Sequence, residues 1–226
     1  MCPAKSAAPT KVVAPAKPAA APAAPAAAPA APAAAPAAAP AAAPAAASGP
    51  LKVVKWFSDA EMKGKVEEFV KKFEAGTLKG EVDGTLFFLA IFDAAMRSKA
   101  SDDDDKKELN EIMTDDIEEY QSLAYFTETR GLKEKLVQIL TPEVRKIGLW
   151  EGKYDAAPAD VEGIPIKNAV YMQWTPATQL QMMKGNPNMD QAFFSGDLTV
   201  KGPMKLATKP REWIYAFMQF IGKSAD

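Results

Sequence analysis

From Pro15 to Ala47 the chain repeats proline with two or three residues between, nearly all of them alanine, and that stretch holds nothing able to build a core. Alanine alone favours helix. A proline at every third or fourth position removes an amide donor and disfavours the helical region in the residue before it. The segment is therefore expected to sample extended, polyproline-II-like states. At ~3.1 Å per residue, its fully extended reach is about 100 Å. Residues 1–50, with 27 alanines, 12 of the 19 prolines, three lysines and no acid, read as a leader or tether to a protein partner or an anchor.

What folds must come from residues 51–226, which carry 24 basic and 29 acidic side chains, a formal charge of −5. That length suits one domain, which buries roughly 70% of its unfolded surface. The sequence has no histidine, and its single cysteine is Cys2. These absences exclude imidazole bases, cysteine nucleophiles, disulfides within the chain, Cys/His zinc sites and haem ligation by His or Cys. An acidic body lacks the clustered basic face that nucleic acid requires. Carboxylates such as Asp115, Asp116, Glu118, Glu119 and Glu151 fall on solvated faces by pattern, without the apolar setting that tunes an acid/base pair. No catalytic residue, metal ligand or cofactor is identified, and binding is favoured over catalysis.

The start, Met1-Cys2-Pro3-Ala4-Lys5, lacks an apolar signal core, and Cys2 has no lipobox before it. The run Thr85–Met96 is too short to span a bilayer and contains Asp93. A soluble, cytoplasmic protein is expected, touching membrane transiently at most.

Helix signals come first along the body. Ser58-Asp59-Ala60-Glu61 reads as a capping box, and Met62, Val66, Phe69, Val70 and Phe73 share one face, predicting a helix over 59–75 closed by Gly76. Thr85–Met96 is apolar on all sides; helix and buried strand both fit, with helix preferred. Asp102–Asp105 collect where a helix N-terminus presents positive partial charge, ahead of Leu109, Ile112 and Met113. A second start at Thr114 is expected to run through Ile117, Tyr120, Leu123 and Ala124, and Leu132, Leu136, Ile139 and Leu140 to mark one more helix ended by Thr141-Pro142. Residues 58–148 therefore read as mostly α.

After Gly148, short apolar pieces are punctuated by Gly, Pro and Asn. Val170–Trp174 reads as a strand, Thr175 as the cap of a helix with Pro176 first, and Met189–Phe194 as a short helix. Leu198–Lys201 and Met204–Ala207 alternate apolar and polar around Gly202-Pro203, predicting a hairpin. From Pro210, residues Trp213, Ile214, Phe217, Phe220 and Ile221 line one face of a terminal helix. The fold class is α+β.

Within this half, Leu180–Thr208 resembles the C-terminal part of the sterol carrier protein 2 (SCP2) family: a helix ending at Gly185, Asn186-Pro187, Ala192-Phe193-Phe194-Ser195-Gly196, then Leu198, Val200, Lys201-Gly202, Met204 and Leu206-Ala207, then an apolar closing helix. The resemblance spans about 165–222. It implies an SCP2-like, antiparallel-rich sheet covered by helices. The family has five strands, whereas 76–148 here reads as helical. Either the sheet is smaller, or an α-helical insertion or extension at about 76–148 interrupts it.

The resemblance further implies non-catalytic binding or transfer of a sterol, fatty acyl or acyl-CoA type lipid in an apolar cavity of 51–226. The lining is expected from Trp174, Leu180, Met183, Phe193, Phe194, Met204, Leu206, Trp213, Phe217 and Phe220, with the closing helix as a lid. Methionine and aromatic side chains suit such a lining, and each buried methylene of an acyl chain contributes ~0.8 kcal/mol. The alternative is a docking or accessory subunit of a larger enzyme or complex, held by the leader.

Overall fold

The capping box at Ser58 forms in full: its hydroxyl accepts from the Glu61 amide, and the Glu61 carboxylate accepts from the Ser58 amide at 2.9 Å. The computed structural model to which this belongs describes residues 50–223; the tether expected of the leader falls on 1–49, outside the described residues. The helix that Ser58 opens is broken where an unbroken one is predicted. Helix α1 (Asp59–Met62) stops, Gly64 takes φ 87°, and α2 (Lys65–Glu74) restarts. Gly64 offers no side chain to cap the new start. The buried carboxylate of Asp93 does so instead, accepting from the Val66 amide at 3.2 Å.

Thr85–Met96 lies in helix α3 (Gly84–Ser98), buried continuously from Leu86 to Ala95. A helix apolar all round belongs inside a protein, and α3 is the central one. Helix α4 (Asp104–Tyr120) is single where two starts are predicted, because the Thr114 hydroxyl donates to the Asn110 carbonyl within the helix rather than capping a new one.

The largest departure follows. The chain turns at Gln121, φ 63°, and the region predicted as helical becomes β2 (Leu123–Thr129), β3 (Lys135–Leu140) and β4 (Arg145–Glu151). The helical segment of 76–148 thus ends at residue 120. Leu132, Leu136, Ile139 and Leu140 mimic helical spacing because β3 is buried on both faces and loses the polar alternation of a half-exposed strand.

The remaining elements are β1 (Lys52–Trp56), β5 (Asp160–Val161), β6 (Ile164–Pro165), β7 (Asn168–Trp174), α5 (Pro176–Met183), α6 (Met189–Phe194), β8 (Leu198–Lys201), α7 (Met204–Ala207) and α8 (Lys209–Phe220). Six strands form one sheet in the order β1-β4-β3-β2-β7-β8, so the sheet is not reduced. Within this sheet only β2 and β7 pair in parallel. The hairpin predicted at 198–207 is absent. Strand β8 pairs with β7, and Gly202, at φ 119° and pressed against the Ala169 carbonyl, turns the chain into α7.

Side-chain alternation divides the sheet into two apolar faces. Leu123, Tyr125, Leu136, Leu140, Ile147, Val170, Met172 and Trp174 meet the helices. Phe126, Val137, Ile139, Trp150 and Tyr171 point the other way and are covered by Tyr154, Val161 and Ile166 from the segment between β4 and β7.

Candidate functional site

Helix α8 is closed over the chain's own side groups. The Phe217 ring lies 5.4 Å from Phe69 and 5.9 Å from Phe87, centroid to centroid, both edge-on. Trp213 meets Tyr125 at 5.0 Å, and Met218 presses so closely on Gly185 that a Cβ there would sit 3.0 Å from it. Where a lid over open space is expected, the inner face of α8 is occupied.

The ten residues that the resemblance implies separate accordingly. Trp174, Met183, Leu206, Trp213 and Phe217 are buried, and Leu180 and Phe220 pack at the margin of the same core. Phe193, Phe194 and Met204 are exposed, Phe194 to 86%. Of the ten, Trp174 borders a cleft.

That cleft, about 200 Å³, lies at the N-terminal end of α3. Gly84, Thr85 and Phe88 form one wall, Thr127 and Thr129 at the end of β2 with Leu136 of β3 another, and Trp174 and Gln179 the floor. Phe88 and Trp174 stack at 5.9 Å with an interplanar angle of 25°. The segment before α3 is seated by a close approach: a Cβ on Gly80 would lie 1.9 Å from the Pro176 carbonyl oxygen, so only glycine brings this loop against the start of α5. Asp83 fixes the same loop, accepting from the Lys79 amide at 2.8 Å and from Lys72 Nζ at 2.6 Å. Its carboxylate is thereby committed, and it caps none of the first amides of α3.

The polar floor centres on Gln179, which is 1% exposed. Its Oε1 accepts from the Trp174 indole and, at 3.2 Å, from the Thr129 hydroxyl. An indole N–H only donates, so the amide oxygen must face Trp174, and this settles which end of the amide is which. Nε2 then has no partner among the described residues.

The rim holds Glu81, Glu128, Lys133 and Glu134. Burial alone raises the Glu128 carboxyl. The Lys135 ammonium at 2.9 Å, the Tyr171 hydroxyl and the Gln173 amide outweigh burial and hold it below the usual carboxylate range. Glu134 accepts from the Thr85 hydroxyl at 2.7 Å. With Glu128 paired to Lys135, the mouth is left net acidic by Glu81 and Glu134 against Lys133.

A second unpaired spot lies under α8: the Tyr125 hydroxyl and the Gln138 amide, on residues facing each other across β2 and β3, have no partner among the described residues. Burial, with the Asp116 charge, raises the Tyr125 phenol well above its ordinary value. Buried groups of this kind are normally served by ordered water.

Sequence reasoning misses Phe88, Thr129 and Gln179. Phe88 is one phenylalanine in an all-apolar helix, and Thr129 and Gln179 sit 50 residues apart until β2 and α5 are placed side by side. The legible signal is the glycine in front of α3, a residue that favours close approach. Among the described residues no cluster of three or more metal-ligating side chains occurs, and no helix is long and apolar enough to cross a membrane.

Residues 127–213, from within β2 to within α8, match the family model of the SCP-2 sterol transfer family. Similar solved structures include sterol carrier protein 2 from Yarrowia lipolytica in its apo form, at 17% identity over 56% of this chain and 88% of that chain, TM-score 0.35. They also include the sterol carrier protein domain 2 of Helicoverpa armigera, at 20% identity over 53% of this chain and 87% of that one, TM-score 0.29. A UbiJ-SCP2 ubiquinone synthesis protein is similar at 10% identity over 51% and 78%, TM-score 0.33. No curated protein matches the chain in sequence.

Proposed function

The C-terminal part of this chain is an SCP2-like domain, and from that premise we propose that the protein binds a hydrophobic ligand and carries or presents it without converting it. The cleft beside Trp174 is the proposed binding site. What carries this reading is position: Thr127, Thr129, Leu136, Trp174 and Gln179 all fall inside the matched region, and all border the cleft. Val82, Phe88, Leu132, Leu136 and Trp174 give the cleft apolar surface beside threonines, Gln179 and a charged rim, so an apolar body can be seated next to polar groups that orient it. At about 200 Å³ the cleft holds a compact ligand or one end of a longer one, and each methylene it takes from water contributes ~0.8 kcal/mol.

The test is uptake of a fluorescent acyl or sterol probe by the full chain, with native mass spectrometry of whatever co-purifies. Saturable uptake that weakens at least about tenfold in Trp174→Ala is expected, since losing a large aromatic wall removes more than 1.4 kcal/mol. A wild-type protein that takes up no probe and brings no lipid with it rules the reading out.

A second reading, a docking or accessory subunit held by the leader, draws on the exposed aromatic pair. Phe193 and Phe194 stand edge to face at 5.8 Å on the surface, and Met204 is exposed as well. Apolar groups grouped in this way typify contact surfaces. Under this reading the protein runs in a stoichiometric complex in extracts of its source, and Phe194→Ser releases it. Under the carrier reading it runs alone.

A further inference from the structure

The unpaired amide of Gln179 states what the cleft asks of its occupant. Both ends of this side chain are buried, yet only the oxygen is used, so the two N–H donors of Nε2, on a residue that borders the cleft, have no acceptor among the described residues. A buried donor without an acceptor is costly, and native proteins keep such groups where water or a ligand completes them. Further donors stand close by. The first turn of α3 has no side-chain cap, and helix N-terminal amides lack partners within the helix. Gly84 allows the close approach: a Cβ there would stand 3.2 Å from the Gln179 amide carbon and 3.5 Å from Nε2.

Charge decides which acceptor. A helix N-terminus and an amide donor would ordinarily receive a carboxylate or phosphate. Here, among the described residues, Glu81 and Glu134 border the mouth against one cation, Lys133, and Glu128 stays ionised beside Lys135. An incoming anion meets a net acidic rim and the apolar surfaces of Phe88, Trp174 and Leu136. A neutral oxygen meets neither penalty.

We propose that Gln179 is a specificity-determining residue, and that the cleft selects a neutral apolar ligand bearing a carbonyl or hydroxyl oxygen, received by Gln179 Nε2 at the start of α3. This rests on the cleft being the binding site, so the experiment separates the two claims. The full chain is titrated with three probes of equal length: octane, 2-octanone and octanoate. Binding is followed by displacement of the fluorescent probe and by the Trp174 indole N–H resonance, which shares the Gln179 oxygen.

The ketone is expected to bind about tenfold or more tighter than the alkane, with octanoate weaker than the ketone, because the hydrogen bond removes an otherwise unpaired donor. Gln179→Met removes the donor at similar volume and levels ketone and alkane. Because that variant also strips an acceptor from Trp174 and Thr129, Gly84→Ala serves as the partner test. It keeps both partners of those bonds, favours the helix, and crowds the approach to the amide, lowering ketone affinity more than alkane affinity, while the Trp174 indole resonance reports whether its bond to Gln179 persists. If all three probes fail to bind, the cleft is not the site and both claims fall. If octane and 2-octanone bind equally to the wild type, or octanoate binds most tightly, the cleft reading stands and this inference is overturned, the amide being served by water or the rim charge being ineffective.

Discussion

The Trp213 indole donates to the Asp116 carboxylate at 2.9 Å, joining α8 to α4 across 97 positions of sequence. Lys209 completes the arrangement, its Nζ 2.9 Å from the other oxygen of the same group, and Asp116 is 2% exposed. A carboxylate so placed is costly to leave unbalanced. Asp116→Ala leaves the partly buried Lys209 with Glu212 alone and strands an indole donor, and is expected to cost about 3 kcal/mol in urea unfolding. Trp213→Phe removes a single hydrogen bond to a charged group along with part of the ring packing, a loss of about 2–3 kcal/mol.

The same group shapes the alkaline limb of stability. Burial pulls the Lys209 ammonium down, but the Asp116 carboxylate, joined by Glu212, more than reverses this and raises it overall. A raised lysine contributes its full stabilisation below the unfolded value of about 10.4 and loses it as pH climbs through the folded value. Thermal midpoints of the wild type should therefore fall above about pH 10.4 more steeply than those of Asp116→Asn. Parallel curves would remove Lys209 as the cause.

At the acid limb the matching element is Arg97, which grips Glu67 on α2 with both terminal nitrogens and Asp93 on its own helix at 2.9 Å. Its guanidinium, with the backbone beside it, holds the Glu67 carboxyl down to about 2 from 4.5. Glu61 is lowered likewise, to about 2, by Lys55 and Ser58. A depressed carboxyl stabilises above its unfolded pKa, and that contribution disappears as pH falls from about 4.5 toward 2. Glu67 is solvent-facing, so screening makes the effect modest and salt-dependent. The expected result is a melting temperature that declines over this window, less in Glu67→Gln, and less for both proteins in 1 M salt.

How much of this fold was legible varies with the kind of signal. Ser58 with Glu61, and Thr175 with Pro176, are local devices whose partners lie within three residues, and each forms as the sequence predicts. Strand β3 is different. Leu136 and Leu140 face the helices while Val137 and Ile139 face the far cluster, so its apolar residues obey two burial demands at once and leave no period to read. Strand β1 carries even less signal, because Lys52-Val53-Val54-Lys55-Trp56 gains its pairing only from β4, about a hundred residues away. The cleft is legible in part: Trp174 is found through its strand, whereas Gln179 becomes chemically meaningful only when Thr129 and Trp174 claim its oxygen.

The β1–β4 edge makes a sharp prediction. A Cβ on Gly148 would stand 2.4 Å from the Lys55 carbonyl oxygen and 2.7 Å from the Trp56 ring, and a backbone oxygen has no rotamer by which to withdraw. Gly148→Ala should push β1 off the sheet while β4-β3-β2-β7-β8 remains paired. Limited proteolysis then cuts within residues 50–57 at least about tenfold faster, since an undocked edge segment opens at little free-energy cost. Unchanged protection there would mean that β1 tolerates a displaced register.

Two phenylalanines divide stability from surface function. Phe217 is enclosed by Phe69 and Phe87, and Phe194 is 86% exposed. Phe217→Ala leaves a cavity in an aromatic cluster and should cost about 3–5 kcal/mol in equilibrium unfolding. Phe194→Ala removes almost no buried area and should stay within about 0.5 kcal/mol of the wild type. The pair also bears on α8 as a lid. If α8 swung open over a ligand in the resting protein, Phe217 would be no more than loosely held and its truncation would cost little. A full core-sized loss shows that opening α8 requires breaking the Phe69–Phe87–Phe217 contacts first, and it directs ligand entry to the mouth at Gly84 and Thr85. Probe uptake that keeps its rate when α8 is cross-linked to α2 is the kinetic counterpart of that result.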